Sequence, residues 1–450
     1  MPKFSSKFGL IAATVGSAVG LGNVWRFPSE VQANGGAVFL LIYICCILIL
    51  GIPVMTAEFA LGRGGDSDAT GVFARVTPRR KGWWLAGLLP VVASYLILSF
   101  YMVVSGWTLE YFIQSITGDL YQGARAGGGT ATFESRMSEY IAGSWRPVIV
   151  TAVMIAANLL VLLRGVQKGI ERMSNILMPL LFAILLVFCA VSLTLPGAAG
   201  GLSFFLAPDW SKFTPATVIN ALGQAFFSLS IGMGILVTYS SYFPSSTRLT
   251  RTSLTVALLD LMVAVLMGII IFPAVMTFGL EDQVMPGSSL VFITLPEIFA
   301  GMELTRLWSA LFFLLLSVAA FTSTISLAEV SVSFCKTRFG LSRTRACLLT
   351  CLPLFLLSTV CSLSVGPWSS VTICGMTIFD FLDNAATNYM LPVSGILLCI
   401  YMGWIAPKRF FRAQLTNNGR LRPLAFTLIR FIVRWIAPVL ILVILLSQFF

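Results

Sequence analysis

Stretches of about 20 consecutive, mostly apolar residues recur along this chain, each long enough to cross a bilayer as a helix. They run near 8–28, 37–61, 84–116, 146–163, 172–195, 215–243, 252–280, 303–335, 345–365, 370–405 and 424–448, eleven in all. Only 10% of the 450 residues are charged, against roughly 25% in a soluble domain, so a water-facing surface of ordinary polarity is excluded. In hydrocarbon, backbone polar groups must be satisfied within the fold, which favours helices. The chain therefore reads as an all-α polytopic membrane protein, a single integral domain over 1–450. Pro367-Trp368 marks the turn between the ninth and tenth spans. Residues 117–145 form the largest outer loop, and 281–302 reads as a helical hairpin lying on the outer face.

The charges that remain are arranged by side. One set of alternate loops holds 21 Lys and Arg residues, from Lys3, Lys7 and Arg63 through Arg248 and Arg251 to Arg420 and Arg422. The opposite set holds only Arg125, Arg136, Arg146, Lys212 and Arg306. Short basic loops stay in the cytoplasm. The N-terminus is expected there and the C-terminus outside, in a plasma (cell inner) membrane. The formal charge of +11 is thus a sidedness signal with some attraction to anionic lipid, and no nucleic-acid partner is expected. No small-residue cleavage site follows Pro2–Lys7, so no cleaved leader is expected. The chain contains no histidine, which removes Ser-His-Asp chemistry and His-ligated zinc or haem. The nine cysteines lie in or beside apolar runs and read as free buried thiols. No nucleophile–base pairing is evident, so an enzyme is not expected, nor is an organic cofactor.

Two spans carry residues that a membrane helix does not tolerate cheaply. The first contains Gly16, Gly20, Gly22, Asn23 and Arg26. Glycine costs about 1 kcal/mol relative to Ala, and a central Arg about 2.5–3.5 kcal/mol. The sixth has a matching defect from Gln224 to Gly234. Interrupted helices at the head of two five-span blocks point to an inverted repeat, near 8–195 and 215–405, followed by one extra helix at 424–448. Unwinding exposes carbonyls that suit sodium and helix N-terminal amides that suit a carboxylate. Asp260 in the seventh span and the hydroxyls of Thr322 and Ser323 in the eighth are drawn to the same cavity, Asp260 as an ion ligand. Glu58 and Glu329 are also embedded and read equally well as structural.

The string Ala18-Val19-Gly20-Leu21-Gly22-Asn23-Val24-Trp25-Arg26-Phe27-Pro28, then Asn34-Gly35-Gly36, resembles the neurotransmitter:sodium symporter family. Further matches are Gly51-Ile52-Pro53, Gly106-Trp107-Thr108-Leu109, Gln224–Gly234, Phe292-Ile293-Thr294-Leu295-Pro296 and Phe321-Thr322-Ser323. They occur in family order, and the likeness is nearest to bacterial eleven-span carriers of hydrophobic amino acids. The resemblance implies two sodium sites. One would use the carbonyl of Ala18, the side chains of Asn23, Ser228 and Asp260, and the substrate carboxylate. The other would use carbonyls of Gly16, Val19 and Ala319 with the hydroxyls of Thr322 and Ser323. The substrate carboxylate would meet amides near Leu21 and Gly22 and the Tyr101 hydroxyl, and its ammonium would face Ala18, Phe227, Ser228 and Ser230. Ile97, Tyr101, Phe227, Met233, Ser323 and Leu327 would line the pocket. Arg26 and Asp383 resemble an outer gate with Phe227 as lid and Gln224 nearby. Gly169 and Pro179 match an inner-release pattern in which the start of the fifth span unwinds.

The implied activity is sodium-coupled import of large neutral L-amino acids by alternating access. Alternatives are a substrate-occluding sensor of the same fold and a proton-coupled carrier, since Asp260, Glu58 and Glu329 could titrate. Two departures stand out. Asp260 sits where many members have Asn, and Ala264 one turn on lacks a hydroxyl. A fixed carboxylate can replace chloride, so chloride-independent transport is expected. The usual inner-gate pair is missing, with Met1-Pro2-Lys3-Phe4 before the first span and Thr337 at the acidic position. Lys3, Lys7 or Phe4 is left to do part of that work. The oligomeric state is not indicated.

Overall fold

The computed structural model describes residues 2–79, 81–122, 129–280, 287–422 and 425–449. Arg80 and Arg125 of the charge pattern, Met1, and the first residue of the expected 424–448 span lie outside these. Among the described residues, nine unbroken helices are long and apolar enough to cross a bilayer. They are Ala37–Gly65, Trp84–Thr117, Arg146–Leu163, Val166–Ser192, Leu249–Thr277, Thr305–Arg338, Arg343–Ser364, Ile378–Ile405 and Phe426–Leu446. The first span is a broken pair, Lys7–Ala18 and Gly22–Ala33, bent by 56°. The sixth is likewise two half-helices, Pro215–Ser228 and Ile235–Ser241. Counting both broken pairs as spans, the described residues hold eleven. We number them first to eleventh in chain order.

The third and eighth spans, 34 residues each, lie against one another along the centre of the bundle. At 1.5 Å per residue each is about 50 Å long, well beyond the roughly 30 Å hydrocarbon layer, so both tilt or project. The first span packs on the fifth, seventh and eighth, and the two halves of the sixth pack on the two halves of the second. The broken helices are thus enclosed by whole ones.

Three short elements differ from the expectation. The tenth span begins at Ile378 rather than near 370, because Thr372–Ile373 and Met376–Thr377 form a small hairpin around Cys374 (φ +52°) and Gly375 (φ +78°). The loop 117–145 contains a helix, Gly129–Ala142. In 281–302 the described part is one apolar helix, Gly287–Ala300, and the rest of the expected hairpin, 281–286, lies outside the described residues. Of the cysteines, Cys45 and Cys374 are exposed rather than buried.

Candidate ion and substrate site

A broken helix leaves backbone amides and carbonyls without intrahelical partners. In the first span these groups are taken up by other spans. The carbonyl of Ser17 accepts from Ser230 Oγ (2.9 Å), that of Val19 from Ser323 Oγ (3.2 Å), and that of Gly22 from Gln224 Nε2 (3.2 Å). The amide of Leu21 donates to the Tyr101 hydroxyl at 2.9 Å. Gly20 is required here, since a Cβ on it would stand 2.7 Å from Ser323 Oγ. In the sixth span Ser230, Gly232 and Gly234 all have positive φ, and the Gly232 amide donates to Glu58 Oε1 at 2.8 Å. Glu58 therefore props the break open.

Beside the break, three buried side chains from three spans meet. Ser228 Oγ donates to Asp260 Oδ2 at 2.6 Å. Asn23 Nδ2 donates to Asp260 Oδ1 (2.9 Å) and Ser228 Oγ (3.1 Å), while Asn23 Oδ1 accepts from the Gly20 amide at 3.3 Å. The Asp260 carboxylate and the Ser228 hydroxyl are hard oxygens of the kind a monovalent cation takes, and a flip of the Asn23 amide would add a third. A second oxygen cluster lies nearby on the eighth span. Thr322 Oγ1 donates to the Ala319 carbonyl at 3.0 Å, and Ser323 faces Val19. A Cβ on Gly16 would lie 3.3 Å from Thr322 Cβ and 3.2 Å from Met178 Sδ, so Gly16 lies against both the eighth and the fifth spans.

Above this level a cavity of about 710 Å³ opens on the face opposite the basic loops. Its floor is Leu21, Gly22, Tyr101 and Phe227, and its walls include Arg26, Glu30, Trp107 and Asp383. The Arg26 guanidinium lies 5.0 Å from the Phe227 ring centroid and pairs with Glu30 at 3.9 Å. Asp383 instead accepts from Thr387 Oγ1 at 2.8 Å, so among the described residues no Arg26–Asp383 ion pair forms. The cavity is open between them. Ala18, Ile97, Met233 and Leu327 are buried; Ile97 and Leu327 lie one helical turn from Tyr101 and Ser323 along their helices.

The opposite end is closed. Lys3 Nζ bonds Asp66 Oδ1 and the Ser241 carbonyl, both at 2.7 Å. Phe4 sits among Tyr239, Tyr242 and Phe243, with ring centroids 6.1–6.3 Å away. Lys7 makes no ion pair among the described residues. The residue sequence reasoning missed is Glu171. It is 2% exposed and accepts from the amides of Ser5 (2.9 Å) and Ser6 (3.0 Å) and their hydroxyls (2.8 and 2.9 Å). A lone acid among Arg164, Lys168 and Arg172 was the available signal. Glu329 is bound by Arg343 at 2.8 and 2.6 Å and by the Tyr242 hydroxyl at 2.7 Å, which favours its structural reading.

Glu171 ends the π-helical turn Val166–Glu171 that starts the fifth span. Gly169 in this turn abuts the Val161 carbonyl so closely that no Cβ fits. Pro179, inside the helix, removes one backbone bond. Pro179→Ala restores it, at about 1 kcal/mol. Turnover and sodium release are expected to slow about fivefold with little change in substrate affinity; unchanged turnover would make Pro179 a static kink.

The sodium:neurotransmitter symporter family model matches residues 1–125 and 135–450. The chain belongs to the sodium:neurotransmitter symporter family. An uncharacterized sodium-dependent transporter of Bacillus subtilis is 34% identical over 445 residues, covering 99% of this chain and 97% of the relative. One from Haemophilus influenzae is 33% identical over 457 residues, covering 99% and 98%. Among solved structures, that of MhsT in complex with L-phenylalanine matches with a TM-score of 0.88 at 40% identity, covering 99% of both chains. This symporter is thus a multi-pass membrane protein and a sodium-dependent secondary transporter of a small molecule, not an enzyme.

Proposed function

We propose that this symporter imports large neutral L-amino acids, aliphatic or aromatic, with two sodium ions and without chloride. The observation that carries the reading is the Asp260 carboxylate held by Ser228 and Asn23 beside the first-span break. A substrate carboxylate placed there touches the same ion, so each ligand raises the other's affinity by reciprocal linkage. Oxygens of Gly16, Val19, Ala319, Thr322 and Ser323 supply the second ion site. The apolar character of Ile97, Phe227, Met233 and Leu327 favours a hydrophobic side chain, and the L-phenylalanine complex of MhsT supports the same class. The basic face is cytoplasmic, and Arg26, Asp383 and Phe227 close over the substrate from the other side.

The test is uptake of labelled leucine or phenylalanine into vesicles containing the purified chain. Replacing sodium by potassium should abolish uptake, and replacing chloride by gluconate should leave it unchanged. Hydrophobic amino acids should compete, while glutamate, lysine and choline should not. Collapse in gluconate would refute chloride independence, and dominant glutamate or choline uptake would refute the substrate class. Sodium-dependent binding without uptake would favour a sensor.

A further inference from the structure

On the basic face, a second cavity of about 760 Å³ lies between the start of the first span and the start of the seventh. It belongs to neither candidate ion site and is separate from the substrate vestibule. Lys7 lines one wall, and Arg248 and Arg251 the other. All three are exposed, and among the described residues none forms an ion pair. The Glu171 carboxylate is buried behind Ser5 and Ser6, which give it four hydrogen bonds. Three cations against one buried carboxylate leave the cavity with net positive charge.

The surroundings identify what would neutralise it. Phe8, Leu254 and Leu258, on the same two helices, are 58%, 41% and 49% exposed. Exposed apolar side chains on membrane helices face acyl chains. A ligand with a phosphate at the rim and hydrocarbon below satisfies both parts, whereas a soluble anion leaves the apolar part unused. Basic pockets between helices at a membrane surface bind anionic headgroups.

We propose that this cavity binds the headgroup of an anionic phospholipid, bridging Lys7 of the first span to Arg248 and Arg251 of the seventh. A bound lipid ties the inner half of the first span to its neighbour and so favours the closed state of this face.

Native mass spectrometry of the purified full chain, titrated with phosphatidylglycerol or phosphatidylcholine, tests this. Phosphatidylglycerol should bind at least tenfold more tightly. Each cation near the surface contributes about fivefold, so Arg248→Gln should weaken binding about fivefold and the Arg248→Gln, Arg251→Gln double variant about 25-fold. Arg420→Gln with Arg422→Gln removes equal charge elsewhere on the basic face and should leave binding unchanged. Sodium-dependent substrate binding by each variant reports folding. Equal loss in the Arg420, Arg422 control would overturn the site in favour of diffuse surface attraction. Displacement of phosphatidylglycerol by inorganic phosphate at similar concentration would overturn the lipid in favour of a free anion. Undiminished binding by a folded double variant would overturn both.

Discussion

Asp260→Asn is expected to raise the sodium concentration needed for half-maximal substrate binding by about 100-fold and to reduce uptake to background. Asparagine keeps the size of the side chain and an oxygen for Ser228, so the packing of the seventh span survives. What is lost is the fixed charge of a group that is fully buried. Breaking a buried charge pair by removing one partner costs about 3–5 kcal/mol, and about 3 kcal/mol already corresponds to roughly 100-fold. Because substrate and ion are linked, the substrate affinity measured at fixed sodium should fall in parallel. An unchanged sodium dependence would remove Asp260 from the ion site and leave it as a structural hydrogen-bonding group.

The second large effect is expected at Glu171. Glu171→Ala removes four hydrogen bonds from Ser5 and Ser6. Bonds to a charged group contribute about 1.5–3 kcal/mol each, though not additively, so the start of the first span should be released. Hydrogen exchange of residues 4–18 should accelerate tenfold or more, and substrate affinity should fall by a similar factor as the basic face opens. Unaltered protection of this segment would show that Glu171 does not hold it. Lys3→Ala makes the useful contrast. Its pair with Asp66 is 40% and 46% exposed, and such pairs contribute about 0–1 kcal/mol, so exchange should change less than about fivefold.

The architecture was largely legible in the sequence because bilayer thickness sets a length that charge-free runs either meet or miss. The two breaks were legible because Gly20, Asn23 and Arg26, or Gln224 and Gly232–Gly234, are costly in an uninterrupted membrane helix. Asp260 announced itself as a carboxylate at membrane depth. Glu171 stayed hidden for a different reason. Two of its partners are backbone amides, which every residue carries, and its own position reads as basic loop. The 372–377 hairpin was missed because Cys374-Gly375 is not a favoured turn pair and its strands have two residues each. The Glu30 pairing of Arg26 follows an i,i+4 spacing that the sequence itself displays.

The Glu329–Arg343 pair has a mechanical consequence. Together with the Tyr242 hydroxyl it staples the eighth and ninth spans and the inner half of the sixth into one stiff block at the basic end. Among the described residues no buried ion pair holds the inner half of the first span; Glu171 accepts from Ser5 and Ser6, Lys3 bonds Asp66 and the Ser241 carbonyl, and Phe4 packs among Tyr239, Tyr242 and Phe243. Loss of those contacts would let this half-helix part from the stiff block. A bulky adduct wedged between the first and fifth spans would then hold the basic face open and stall the return step of the cycle.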